Sequence, residues 1–244
     1  MGSEYYIAGC VFTSKYQRVS ALILEYLRKR GIDTVRCCVP RYRIRHFNEQ
    51  MAGDFREQWE AMPDCADFAP GDSVYSICHN CSAILEETRP DLEVKSLWEL
   101  LIADGSFPWP DYQGCPVAIQ DCWRARDKAS EQAAVRQLLE KMNFQVHELP
   151  LNHGDTEFCG VSLYRPAPPR NLRLAPERFV KNAEGKFLPH SAEEQAALMK
   201  EYCGAIPADK VVAYCHYCTE GLELGGKNAR HLAELLFDPQ LWEK

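Results

Sequence analysis

Residues 72–81 read DSVYSICHNC, and residues 210–218 read KVVAYCHYC. Each stretch is a short apolar run, typical of a buried strand, and each ends in a Cys-His-x-Cys turn that opens a helical segment. The two stretches predict the same local unit twice: a strand whose carboxyl end presents a pair of thiols.

The residues before the first stretch contain two more strand ends of this kind. Tyr5–Gly9 is an aromatic and apolar run that ends at Cys10, and Val19–Leu27 has apolar residues at helical spacing. Asp33–Arg36 then predicts a brief strand that leads into the adjacent pair Cys37-Cys38. The first half therefore predicts strand, cysteine and helix in repeated order.

The second half follows the same order. Pro116–Gln120 predicts a strand that leads to Cys122, and Ser130–Met142 has the broad apolar stripe of a helix. Phe144–Leu149 predicts the next strand, and the loop after it carries Phe158-Cys159-Gly160. Ala192–Tyr202 predicts a helix before the second Cys-His-x-Cys stretch, and a last helix is predicted after it, over roughly Asn228–Leu236.

This repeat predicts an α/β fold of two pseudo-repeated Rossmann-like lobes, each with a small parallel sheet flanked by helices. We expect residues 1–110 to form the first lobe and residues 111–244 the second, because the proline-punctuated segment Phe107–Pro110 suits a linker. Functional groups gather at the carboxyl ends of parallel strands, which is where the cysteines lie in both lobes.

Composition limits the classes of function. The 244 residues carry a formal net charge of -7, which argues against a nucleic-acid partner. No apolar run reaches the roughly 18 to 20 residues of a membrane span, so we expect no direct membrane insertion. A strand-like segment follows Met1 with no signal-peptide pattern, which predicts a cytoplasmic protein. In that reducing compartment Cys-x-x-Cys pairs are more often metal or redox sites than disulfides.

The candidate metal ligands among the twelve cysteines divide unequally between the lobes. The first lobe offers five candidate metal ligands: Cys10, Cys37, Cys38, Cys78 and Cys81. Zinc or a cubane [4Fe–4S] cluster uses four thiolates, so five suggest a larger polynuclear cluster. The second lobe offers four: Cys122, Cys159, Cys215 and Cys218. Four thiols suit a second [4Fe–4S] cluster or a zinc ion, and the sequence does not separate the two.

The order Cys, Cys-Cys-Gly, Cys-x-x-Cys, present twice, resembles the cysteine-rich CCG domains of the heterodisulfide reductase family and its relatives among glycolate and lactate oxidation proteins. The resemblance covers nearly the whole chain. It implies a noncubane [4Fe–4S] cluster held by five cysteines, at which the sulfurs of a disulfide are bound or released. The chain differs from the family pattern at Val39, where a glycine would follow the pair, and at Phe158, where the second pair would begin.

What the resemblance implies for this chain is a cluster-bearing catalytic site at Cys10, Cys37, Cys38, Cys78 and Cys81. The expected reaction is reduction or formation of a disulfide, in a small molecule or a protein, or of a related sulfur bond. Neither a Gly-x-Gly-x-x-Gly nor a P-loop pattern is present, so we expect electrons from a partner protein. Two alternatives remain open: an electron-transfer or scaffold protein without its own substrate, and a zinc-stabilised structural module.

Several residues outside the ligand sets have two interpretations each. His79 and His216 either serve the cluster as hydrogen-bond donors or proton carriers, or are exposed turn residues. An arginine group, Arg36, Arg41, Arg43 and Arg45, either binds an anionic group of a substrate or is a solvated face.

Residues 164–178 form either a partner-docking loop or a tolerated insertion. We expect no ligand role for three cysteines outside the repeat: Cys65, Cys115 and Cys203.

Overall fold

The computed structural model describes residues 2–39, 44–166 and 172–239. The chain divides into two compact units, unit 1 (Met1–Leu100) and unit 2 (Leu101–Lys244). Among the described residues each unit has a four-stranded sheet in which all pairings are parallel. The predicted class, α/β with two Rossmann-like lobes, is confirmed. None of the helices in these ranges combines the length and apolar character that crossing a bilayer requires.

Unit 1 has the strand order β2-β1-β3-β4. Its strands are β1 (Glu4–Ile7), β2 (Asp33–Val35), β3 (Ser73–Ser76) and β4 (Glu93–Ser96). Its helices are α1 (Cys10–Lys15), α2 (Gln17–Lys29), α3 (Ile44–Gln50), α4 (Gly53–Ala61), α5 (His79–Thr88) and α6 (Leu97–Ala103), the last of which spans the unit boundary. The inner strands β1 and β3 carry fully buried residues such as Ile7 and Val74, as expected for strands covered on both faces.

Unit 2 repeats this arrangement with the strand order β6-β5-β7-β8. Its strands are β5 (Cys115–Gln120), β6 (Phe144–Glu148), β7 (Lys210–Ala213) and β8 (Asn228–His231). Its helices are α7 (Ala129–Lys141), α8 (Pro176–Phe179), α9 (Ala192–Gly204), α10 (His216–Leu224) and α11 (Leu232–Phe237). The buried face of α7 includes Val135, Leu138 and Leu139, which confirms the predicted apolar stripe.

The strand order places the cysteines at the position where open α/β sheets bind ligands. In unit 1 the chain leaves β1 toward β2 on one side and returns to β3 on the other, so the direction of winding reverses between β1 and β3. Ligand sites form beyond the carboxyl ends of the strands at such a reversal. Cys10 follows β1 and Cys78 follows β3, and in unit 2 Cys122 follows β5 and Cys215 follows β7.

The fourth strand of each sheet is not predicted by the sequence pattern. The helix predicted at the end of the chain, over roughly Asn228–Leu236, is wrong in its first turn, because Asn228–His231 form β8 and α11 begins at Leu232. Both β4 and β8 are four-residue edge strands in which three residues are charged or polar, EVKS and NARH. Edge strands of this kind lack the apolar run by which a buried strand is recognised.

Candidate metal centres

Five thiols of unit 1 form one connected group, the five-thiol cluster: Cys10, Cys37, Cys38, Cys78 and Cys81. The thiol of Cys10 lies within reach of that of Cys37 and close to those of Cys78 and Cys38. The thiol of Cys81 is hydrogen-bonded with those of Cys38 and Cys78. The ends of β1, β2 and β3 thus bring together all five residues that the sequence predicts as ligands of the first lobe.

Ionisation of the five-thiol cluster is opposed by its own crowding. The hydrogen bond with Cys37, and then burial, raise the pKa of Cys10 well above its usual range. Hydrogen bonds with Cys38 and Cys78, followed by burial, raise the pKa of Cys81. Neighbouring thiolates repel one another, and a bound cation removes that repulsion because metals bind the thiolate form. The donor set can therefore bind metal, and binding would release protons.

The five-thiol cluster has one apolar wall and one more open side. Cys78 and Cys81 are buried in a core cluster with Ile7, Val35 and Leu85. Cys38 is only half-buried and packs at the edge of that core. Cys38 is therefore the least buried thiol of the five.

A sixth thiol lies beside this cluster. Cys65 is half-buried at the edge of the same core, and after burial the charges of Cys38 and Cys37 are among the causes that raise its pKa. It is brought there by backbone pairing, in which Arg36 N donates to Pro63 O (2.9 Å) and Cys37 N donates to Asp64 O (3.0 Å). The sequence pattern could not place Cys65, because these bonds join residues far apart in the chain and involve no side-chain motif.

Four thiols of unit 2 form a second group, the four-thiol cluster: Cys122, Cys159, Cys215 and Cys218. The Sγ atoms of Cys122 and Cys159 are 3.8 Å apart, and those of Cys122 and Cys215 lie within 4.8 Å. Burial first, and then hydrogen bonds with Cys159, Cys215 and Cys218, raise the pKa of Cys122. All four side chains are at most 4% exposed, so this cluster is more enclosed than the five-thiol cluster.

Gly160 lets two thiol-bearing segments of unit 2 approach closely. It has φ +54°, and a Cβ atom at this position would lie 1.7 Å from the carbonyl oxygen of Tyr217 and 2.6 Å from Cα of Cys218. Only a glycine permits this contact between the Cys159 loop and the start of α10. On the other side of Cys159, the ring of Phe158 is buried and stacks on Tyr202, with centroids 4.2 Å apart.

Asp121 joins the ends of the two central strands of unit 2. Its fully buried carboxylate accepts 2.7 Å hydrogen bonds from Tyr214 Oη, from both Nη atoms of Arg136 and from His153 N. Burial raises the pKa of Asp121, but the contacts with Arg136 outweigh burial and hold it below its usual value. Because Asp121 precedes Cys122 and Tyr214 precedes Cys215, their bond fixes the spacing of two thiols. No motif in the sequence indicated this pair.

Of the three cysteines predicted to have no ligand role, Cys115 and Cys203 belong to neither cluster, and none of the twelve cysteines forms a disulfide. Cys115 begins β5, at the opposite end of that strand from Cys122, and contacts Lys210 Nζ at 3.4 Å. Cys203 is buried in α9 and contacts Leu222 O at 3.7 Å. The exposed-turn interpretation of the two histidines is wrong, since His79 and His216 are 7% and 3% exposed.

The arginine group near Cys37-Cys38 and the arginines of the stretch 164–178 lie only partly within the described residues. Arg41 and Arg43 lie outside the described residues, so the group around Cys37-Cys38 stays a prediction. In the proline-rich stretch 164–178, Arg178 pairs with Asp127 through two nitrogens at 2.8 and 2.7 Å. Ala175 is fully buried, so this stretch contributes to the core as well as to the surface.

These two clusters give the chain the donor chemistry of a metal-binding protein. Thiolates are the preferred ligands of zinc and of iron–sulfur clusters. Comparison of the chain with protein-family models, with curated proteins and with solved structures gave no match.

Proposed function

We propose that this protein is an iron–sulfur oxidoreductase of the heterodisulfide reductase type, similar to the CCG-domain component of those enzymes, and that it reduces or forms a disulfide or a related sulfur bond. The observation that carries the proposal is the convergence of five thiols at the carboxyl ends of β1, β2 and β3. Zinc and cubane clusters use four thiolates. A five-thiol set favours a larger polynuclear cluster, and the resemblance to the CCG domains implies that this is a noncubane [4Fe–4S] cluster held by Cys10, Cys37, Cys38, Cys78 and Cys81.

The chain supplies binding and shielding at this site. The apolar wall that contains Ile7 and Leu85 excludes water from Cys78 and Cys81, while half-buried Cys38 leaves a side by which a disulfide can approach. A noncubane cluster, when bound, supplies electrons and iron positions able to bind sulfur. Electrons reach the protein from a partner protein in this proposal, because the sequence has no flavin or nucleotide motif.

The four-thiol cluster is proposed to hold a second [4Fe–4S] cluster or a zinc ion. Its enclosure favours a role in electron relay or in structure rather than in substrate binding, because structural metal sites are closed and catalytic ones keep an open position. The Asp121–Tyr214 bond supports the same division, since it fixes two of the thiols in place.

The test uses protein prepared without oxygen, with iron, sulfide and zinc measured and EPR spectra recorded before and after addition of a disulfide. We expect iron and sulfide in the protein and a change of the EPR signal on adding the disulfide. Cys81→Ser removes a buried thiol of the five-thiol cluster and should lower the iron content and abolish the change. Cys203→Ser is the matched control, since it removes a buried thiol that belongs to neither cluster.

Other outcomes of this test select the alternatives. Iron with an EPR signal that no disulfide alters would indicate an electron-transfer or scaffold protein. A colourless protein that contains zinc and no iron would indicate a zinc-stabilised structural module. Equal iron content in Cys81→Ser and Cys203→Ser would show that the five-thiol cluster does not hold the metal.

A further inference from the structure

Arg124 is a buried cation next to the four-thiol cluster. Its side chain is 5% exposed and lies in the short 3₁₀ helix Trp123–Ala125, which begins directly after Cys122. Its Nη2 atom donates a 2.6 Å hydrogen bond to Ser162 Oγ, and its Nε atom has no hydrogen-bond partner. Within the part of the chain that the structure describes, no carboxylate forms an ion pair with this guanidinium.

The three segments that carry the four thiols meet at this guanidinium. Arg124 itself belongs to the segment after Cys122. Ser162 ends the 3₁₀ helix Gly160–Ser162, which follows Cys159. Tyr217 lies inside the Cys-His-x-Cys turn of α10, and its ring centroid is 5.4 Å from the guanidinium carbon. Such a position is expected of a group that serves all four thiols together.

The other neighbours of Arg124 do not neutralise it. The rings of Phe179 and Phe187 lie 5.1 and 5.2 Å from its guanidinium carbon and, with Tyr217, make cation–π contacts. Aromatic faces attract a cation but carry no net charge, and a buried charge needs an opposite charge nearby. The ionisable groups close enough to act on this guanidinium include the thiols of Cys159, Cys122 and Cys215.

We propose that Arg124 is the internal counter-cation of an anionic metal–thiolate centre at Cys122, Cys159, Cys215 and Cys218. The inference rests on the proposed function, because it requires metal in unit 2. Four thiolates around a divalent metal ion carry a net charge of two minus, and one guanidinium cancels half of it. Arg124 therefore stabilises the loaded centre relative to the empty one by its charge, and not by a ligand bond.

The test measures the affinity of the full-length chain for Zn²⁺ by competition with a chelator. All variants are made in a background chain that carries both Cys78→Ser and Cys81→Ser. The five-thiol cluster of this chain lacks two thiols, so its high-affinity Zn²⁺ binding reports on unit 2. We expect Arg124→Met to weaken Zn²⁺ binding by about 10- to 100-fold, the usual effect of removing a group just outside the ligand set. Arg124→Lys keeps the charge and should recover most of the loss. Ser162→Ala keeps the cation and should cost less than Arg124→Met.

Arg126→Met is the matched control. Arg126 also stacks on an aromatic ring, with its guanidinium carbon 4.1 Å from the centroid of Trp123, but no cysteine contributes to the shift of its pKa. Binding should be unchanged in this variant. The proposal is overturned if Arg124→Met binds Zn²⁺ as the background does, or if Arg124→Lys or Ser162→Ala loses as much as Arg124→Met.

Two further outcomes keep the tests separate. If the background chain binds no Zn²⁺, the metal assignment of unit 2 fails before any change at Arg124, and the inference fails with it. If Arg124→Met does not fold, as judged by circular dichroism, Arg124→Gln replaces it as the variant without the charge. A loss in Arg124→Gln that Arg124→Lys recovers supports the proposal, and equal binding by the two variants contradicts it.

Discussion

Single residues set how closely the thiol-bearing segments of unit 2 can approach. At Gly160 the limit is steric, because the carbonyl oxygen of Tyr217 occupies the space that any side chain would need. At Asp121 the limit is electrostatic, because its buried carboxylate is held by Arg136 and ties β5 to β7 through Tyr214. Both effects act between residues distant in the chain. The sequence pattern therefore predicted which cysteines follow the ends of strands, but not the residues that position them.

Gly160→Ala should destabilise the protein by about 2 to 4 kcal/mol, because it adds a clash with backbone to the strain of a positive φ. The matched control is Gly185→Ala, which has φ +73° but open space around the added Cβ, and should cost about 1 kcal/mol from strain alone. Urea unfolding of both variants checks the prediction. Equal losses would mean that the contact with Tyr217 is unimportant.

Asp121→Asn should destabilise the folded state by about 3 kcal/mol, since it leaves Arg136 without its buried partner. Glu148→Gln removes the exposed partner of the same arginine and should cost no more than about 1 kcal/mol. The difference between the two free energies of unfolding, measured in urea, checks the assignment. If Glu148→Gln proved the costlier change, Asp121 would not be the main anchor of Arg136.

At the scale of elements, the sequence predicted the strands that lead to a cysteine, directly or through a loop, and missed the edge strands β4 and β8. β3 and β7 are apolar and buried, so both their length and their end at Cys-x-x-Cys can be seen in the sequence. β4 and β8 are polar edge strands that pair in register with β3 and β7, and only that pairing defines them. A strand can be predicted from the sequence where burial selects apolar residue types. It is missed where only backbone hydrogen bonds to a neighbouring strand define it.

The segments after β2 and β6 are not equivalent, although the two sheets share one topology. β2 leads almost directly into Cys37-Cys38, whereas a longer loop with a short 3₁₀ helix, His153–Asp155, separates β6 from Cys159. That loop ends in Phe158, whose ring packs on Tyr202 where a second adjacent thiol would stand. A packed ring thus occupies this position in unit 2, and four thiols converge there instead of five.

Phe158→Cys should therefore cost stability rather than convert the four-thiol cluster into a five-thiol one. Loss of the buried ring leaves a cavity beside Tyr202, for which we expect about 2 to 4 kcal/mol of destabilisation. Phe158→Leu fills more of the space and should cost less. Urea unfolding measures the cost, and metal content measures any gain. An increase in bound iron with unchanged stability would contradict this interpretation.

At the scale of the whole molecule, each unit carries its own core and its own thiol cluster, and no disulfide joins any pair of the twelve cysteines. A metal that binds the folded chain and not the unfolded one adds its binding free energy to folding. We infer that the stability of both units depends on metal.

Metal that is free at a hundredfold above its dissociation constant stabilises the folded chain by about 2.7 kcal/mol. Removal of this metal with a chelator should therefore lower the melting temperature by at least about 5 °C. Differential scanning calorimetry without oxygen checks this. The control is the full-length chain with Cys81→Ser and Cys122→Ser, whose melting should respond much less to chelator. Identical melting of the native chain with and without chelator would show that metal does not support the fold.

The proposed function depends above all on iron and sulfide at the five-thiol cluster of unit 1. The most direct test is the iron, sulfide and zinc content of full-length protein prepared without oxygen, alone and with Cys81→Ser. We predict about four iron and four sulfide per chain at this site, lost in Cys81→Ser, in addition to the metal of unit 2. A colourless native chain that contains zinc but neither iron nor sulfide would contradict this prediction.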